Sequence, residues 1–148
     1  MITVEVRGLD EAARAFSVDV DDAVRVSVER SLLRMQRALQ VYPSPPAPGE
    51  WAANTTPGQR RAFFAKLRAG QAGRRSGALA RGWVVRVSGS GEITGTLENR
   101  VEYAQFVQGD SMQARFHRGR WQTDRAVVED EVSTLVDDLN DELARRLR

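Results

Sequence analysis

The sequence predicts an α+β fold: a small antiparallel sheet with a long N-terminal helix and a long C-terminal helix packed on it, plus an extended proline-rich arm. Three patterns carry this reading. Ile2, Val4 and Val6 alternate with polar residues, which is the period of a half-buried strand. Two distant runs, Val20 to Leu39 and Val128 to Leu147, repeat apolar residues every three or four positions, as a helix with one buried face does. Between them, Trp83, Val85 and Val87 and then Ile93, Gly95 and Leu97 alternate on either side of the turn residues Gly89-Ser90-Gly91. Strands grouped together with helices at either end suit α+β, and 148 residues suit one domain.

Each element has its own justification. Gly8 ends the first strand, and Asp10 can cap the helical run that begins there. The apolar stripe then runs through Ala13, Phe16, Val20, Val24, Val28, Leu32, Met35 and Leu39. A break is expected near Ser17 to Asp21, with a helix from Asp22 to Gln40. The stripe is broad and lacks steady flanking charges, so it reads as core rather than as a coiled-coil seam. Four of the five prolines then fall between Pro43 and Pro48. They fix φ and remove donors, which makes residues 43–75 a stiff arm rather than a floppy linker. Inside the arm, Thr56-Pro57 reads as an N-cap with proline at the first helical position, opening a short helix over Gln59 to Ala69. Trp51, Phe63 and Phe64 are costly to leave in water. The arm therefore docks, either on a neighbouring copy or back on its own domain. Gly82 to Ser88 and Ile93 to Asn99 form a hairpin, and Val101 to Val107 a further strand or a single helical turn. Thr123 caps the last helix, whose apolar stripe is Val128, Val132, Leu135, Leu139, Leu143 and Leu147.

Composition narrows the function classes. A formal charge of +2 is too small to imply nucleic-acid binding by itself. Lys66 is the only lysine; the other basic residues are arginines, which a GC-rich genome or selection for interface guanidinium groups would each produce. The chain has no cysteine, which excludes disulfides and thiolate metal sites. The start, Met1 to Val6, lacks the basic and apolar regions of a signal peptide, and no segment is apolar enough to span a bilayer. The expectation is a chain made in the cytoplasm and first soluble there, with no membrane partner.

No residue pattern looks built for catalysis. His117 is the only histidine. Ser111 is a conceivable nucleophile for it, but no Gly-x-Ser-x-Gly elbow surrounds that serine. Ser88-Gly89-Ser90-Gly91 lies between two strands and reads as a hairpin turn. Asp19, Asp21 and Asp22 do not follow calcium-loop spacing, and Gly70 to Arg75 lacks the ending of a phosphate cradle. No catalytic residue, cofactor site or metal site is assigned. What stands out instead is arginine near aromatic residues: Arg74 and Arg75 at the end of the arm, and Arg115, Phe116, His117, Arg118, Arg120 and Trp121 before the last helix. Arginine and tryptophan dominate protein interfaces and nucleic-acid grooves alike.

An ordered set of landmarks adds to this. Arg75-Ser76-Gly77-Ala78-Leu79 with Trp83 resembles an arginine–threonine–glycine–x–leucine stretch ending in tryptophan. Tyr103-Ala104-Gln105-Phe106-Val107 resembles a tyrosine–alanine–x–aromatic–valine segment, and His117-Arg118-Gly119-Arg120-Trp121 comes after it. The arm stretch Thr56 to Phe64, with its glutamine, arginines and paired phenylalanines, is similar as well. Together these resemble the head–tail connector, neck and tail-completion proteins of long-tailed double-stranded DNA bacteriophages. Ser76 stands where threonine is common, and Gly82 where serine often precedes the tryptophan. The resemblance implies a virion structural protein without enzymatic activity. It would form a homo-oligomeric ring between capsid portal and tail tube, with connector, terminator or tail-tube proteins as neighbours and DNA passing through the lumen. The residues' own chemistry makes Trp51, Phe63, Phe64, Arg74, Arg75, Arg115, Phe116, His117, Arg118 and Trp121 the interface candidates, while Trp83, Tyr103 and Phe106 read as core rather than contact. The alternative is a small arginine-rich nucleic-acid-binding protein; a hydrolase using Ser111 and His117 is a third reading.

Overall fold

In a computed structural model of the chain, the described residues are 1–7, 20–43, 55–69, 77–115 and 117–146. They form β1 (Ile2–Val6), α1 (Val20–Gln40), α2 (Pro57–Arg68), α3 (Ala78–Arg81), β2 (Trp83–Ser88), β3 (Ile93–Asn99), α4 (Ala104–Gln108) and α5 (Asp124–Arg146). The α+β architecture is the one the periodicities predict. The segment after β3 takes the helical alternative, as α4. Residues 8–19, including Ala13 and Phe16 of the apolar stripe, lie outside the described residues.

The sheet has the order β1-β3-β2, antiparallel throughout. Ile2 and Val85 both pair with Leu97, and Val4 and Val87 both pair with Gly95. The alternation thus puts every apolar strand residue except Val84 on one face. The other face carries Thr3, Glu5, Thr94, Thr96 and an Arg86–Glu98 ion pair at 3.0 Å, as a solvated surface should.

Helix α1 covers the apolar face. Val24, Val28, Leu32, Met35 and Leu39 share one core with Ile2, Trp83, Ile93 and Leu97, all nearly sealed from solvent. Each such side chain contributes roughly 1.5–3 kcal/mol through burial. Gly95 sets how close the helix comes. A Cβ there would lie 2.5 Å from Val28 Cγ1 and 2.7 Å from Leu32 Cδ1, so only glycine lets α1 settle this deep. Polar contacts fix both ends of the helix. Near its start, Asp21 accepts from the Gly91 N–H at 2.8 Å, and Arg25 donates to the Gly89 carbonyl at 2.6 Å. Near its end, Gln36 donates to the Trp83 carbonyl at 2.8 Å and Gln40 to the Ala80 carbonyl at 3.0 Å.

Helix α5 starts as the sequence indicates, with the Ala126 N–H donating to Thr123 Oγ1 at 3.1 Å. It runs antiparallel along α1, which is its main partner. Arg34 donates to Glu131 at 2.7 Å and to Asp138 at 2.6 Å, Arg30 reaches Glu142 at 3.2 Å, and Arg146 returns to Asp22 at 2.6 Å. Burial alone would raise the Glu142 carboxyl. The hydrogen bond from Arg146 and the charges of Arg145, Arg30 and Arg146 outweigh it and hold the carboxyl below the usual carboxylate range. The apolar stripe of α5 is only partly used. Val128, Leu135, Leu139 and Leu143 pack against the core and Val127 is buried, but Val132 and its neighbour Val136 are each 52% exposed. The reason is that the stripe of Glu131, Asp138 and Glu142 faces α1, which turns part of the apolar stripe outward.

Candidate interaction site

Landmarks far apart in sequence meet at one buried side chain. Gln108, at the end of α4, is 2% exposed. Its Oε1 accepts from Trp83 Nε1 at 3.3 Å, and its Nε2 donates to the Leu39 carbonyl at 2.8 Å. Leu39 lies in the last turn of α1, whose carbonyls have no helical partner, so Gln108 supplies one. The tryptophan after α3, the end of α1 and the tyrosine–alanine segment are thereby tied together.

A second apolar cluster surrounds this node. Leu79, Ala104 and Val107 are buried, with Tyr42, Val101 and Trp121 packed against them. Asn99 locks the approach by donating to the Leu79 carbonyl at 2.8 Å and accepting from the Val101 N–H at 2.9 Å. The same packing fixes residue 82 as glycine. A Cβ on Gly82 would lie 2.4 Å from Asn99 Oδ1 and 2.8 Å from Val101 Cγ2, so a serine has no room here.

The loop after α4 is pinned from inside. Buried Gln113 donates through Nε2 to the Val107 carbonyl at 2.8 Å and to the Trp121 carbonyl at 3.2 Å. The Ala114 N–H donates to the Phe106 carbonyl at 2.8 Å, which returns the chain to α4 just before Arg115. The Trp121 ring meets Tyr42 edge-on at 5.0 Å and His117 at 6.1 Å, geometries that aromatic rings favour. His117 is half-buried. Burial first, then the nearby Arg120 cation, push its pKa below the ordinary histidine value.

Several large apolar and basic residues of this unit are exposed. Tyr103 is 46% exposed, Phe106 44% and Met112 50%, and Arg115 and Arg118 are exposed beside them in sequence. Trp83 takes the core position expected of it, but Tyr103 and Phe106 do not. α4 is a five-residue helix that turns Ala104, Val107 and Gln108 inward, and so faces the two aromatic residues to solvent. A period-two reading of residues 101–107 could not have shown this; the 3.6-residue period does. Met112 had no sequence signal at all.

The other expected interface residues divide into three groups. Arg115 and Arg118 are exposed, with Arg118 Nε donating to the Gln113 carbonyl at 3.2 Å, while His117 and Trp121 are partly buried. Phe63 and Phe64 fall on α2, which forms as its cap predicts, and their side chains lie outside the description. Trp51, Arg74, Arg75 and Phe116 lie outside the described residues.

Among the described residues, no group of three or more histidine, cysteine, aspartate or glutamate side chains is placed to hold a metal ion. No helix among them is long and apolar enough to cross a membrane. No family model matches the chain, and no curated protein or solved structure matches it significantly.

Proposed function

We propose that this chain is a structural virion protein of a tailed bacteriophage. Its copies would form a ring at the head–tail junction that joins the capsid portal to the tail tube and lets DNA pass. The reading rests on the ordered landmarks from Arg75 to Trp121. The supporting observation is that Tyr103 and Phe106, at the start of and on the braced α4, and Met112 in the loop after it are large apolar residues left exposed. Apolar patches of this kind mark places where another protein sits. A ring subunit needs two different surfaces that meet head to tail. In this reading Arg115 and Arg118 belong to the contact, no residue is catalytic, and no cofactor is required.

Two measurements test it. Native mass spectrometry of the purified protein should give a closed oligomer, and proteomics with antibody labelling of purified particles should place the chain at the neck. A protein that stays monomeric at all concentrations and is missing from particles would sink the reading. Steeply salt-dependent DNA binding by such a monomer would favour the nucleic-acid alternative.

A further inference from the structure

Helix α5 carries two acidic stripes with the same spacing. The first, Glu131, Asp138 and Glu142, faces α1 and is met by Arg34 and Arg30. The second, Asp130, Asp137 and Asp141, is displaced by one residue and so is turned about 100° around the helix. All three members are exposed, and none forms an ion pair among the described residues. Val132 and Val136 add exposed apolar surface at the other margin of the same outward face. Over its length α5 has eight carboxylates against three arginines, a net charge of −5.

Helix α2 is the opposite in charge. Arg60, Arg61, Lys66 and Arg68 with no carboxylate give it +4. Its start is closed by a reciprocal cap: the Thr56 N–H donates to Gln59 Oε1 at 2.8 Å, and the Gln59 N–H donates to Thr56 Oγ1 at 3.3 Å. Yet α2 packs extensively on no other element of the described fold, and Arg61, Ala62 and Ala65 are exposed. A helix of 12 residues is marginal in water by itself and gains from a surface to lie on. Arg61 and Arg68 stand seven residues apart, about 10.5 Å along the axis, which is also the separation of Asp130 and Asp137.

We infer that α2 of one copy docks along the second acidic stripe of α5 on a neighbouring copy. The first stripe shows how this helix takes arginines from α1, and the second presents the same spacing to a second basic helix. Because donor and acceptor surfaces are different parts of the same chain, the contact is head-to-tail and can propagate around a ring. The inference rests on the ring reading and names the surfaces that make the ring.

The chain has no cysteine, so the contact can be probed by introducing one on each side. Arg61→Cys and Asp137→Cys variants, each carrying a different tag, are mixed at concentrations where the wild type assembles and treated with a short bis-maleimide. The expected product is a hetero-dimer bearing both tags in the mixture and no linked product from either variant alone. The double variant should give a ladder of multimers. Absence of the hetero-dimer in a sample whose mass shows it assembled would overturn the docking while leaving the ring reading standing. Linking within single chains of the double variant would do the same. A sample that never assembles at any concentration would remove both.

Discussion

Gln108 accepts the indole N–H of Trp83 while donating to the carbonyl of Leu39, and so joins three segments that lie up to 69 residues apart. Both partners are buried, so neither can turn to water when Gln108 is removed. Replacing Gln108 with leucine keeps the volume but strands one donor and one helix-end carbonyl. The expected loss is about 2–6 kcal/mol, since each of the two stranded groups costs about 1–3 kcal/mol. Urea unfolding checks this, and a loss under about 0.5 kcal/mol would show that the node does not brace α4.

Gly95 makes a separate prediction about the depth of α1. Leu32 and Val28 are fully packed and cannot swing away from a new Cβ. Gly95→Ala should cost about 1–3 kcal/mol, the usual range for overpacking a tight core. Gly82→Ser should also destabilise, because Asn99 and Val101 fill its space. If Gly82→Ser proved as stable as the wild type, the packing of Asn99 against the chain there would be looser than described.

Much of this fold was legible because its cues are local. Alternation fixed which face of each strand is buried, and the caps at Thr56 and Thr123 placed two helix starts. The outward turn of Tyr103, Phe106, Val132 and Val136 was not legible. Their apolar character says that they prefer to leave water, but not whether their own chain or another one covers them. The pairing of Arg34 with Glu131 and Asp138 joins residues about 100 positions apart, and charge spacing on α5 alone does not say which of its two acidic stripes α1 takes.

Arg34 anchors the contact between α1 and α5. Its guanidinium pKa is raised chiefly by the hydrogen bond to Glu131, against some desolvation. Glu131 and Asp138 are mostly covered, so Arg34→Ala leaves two carboxylates facing each other with little water. The expected cost is about 2–3 kcal/mol, below that of a fully buried pair because Arg34 is itself one-third exposed. Arg34→Lys should recover only part of it, since an ammonium cannot reach both carboxylates as a planar fork does. Full recovery by lysine would show that charge alone, without the fork geometry, holds the helices.

His117 gives the fold a pH dependence of predictable sign. Its folded pKa lies below the unfolded value of about 6.5, so the unfolded chain binds the proton more readily. The contribution of His117 is therefore fully present above that unfolded value and is lost as the pH falls through the folded one. Melting temperature should drop between pH 7.5 and pH 5.5, and His117→Gln should flatten that slope. An unchanged slope in the variant would assign the pH response to other groups.

Tyr103 and Phe106 separate assembly from stability. Both project from α4 while Ala104, Val107 and Gln108 hold the helix down, so the aromatic rings do little for the isolated chain. Replacing both with serine should change unfolding free energy by no more than about 0.5 kcal/mol, as for ordinary surface positions. In the proposed ring those same rings lie against another protein, where truncating buried aromatic anchors costs at least about 2 kcal/mol each. The double variant should therefore fold normally and fail to enter particles, as measured by its abundance in purified virions relative to wild type. A variant that folds normally and is incorporated at the wild-type level would show that this patch is not an assembly contact, and the proposal would lose its main structural support.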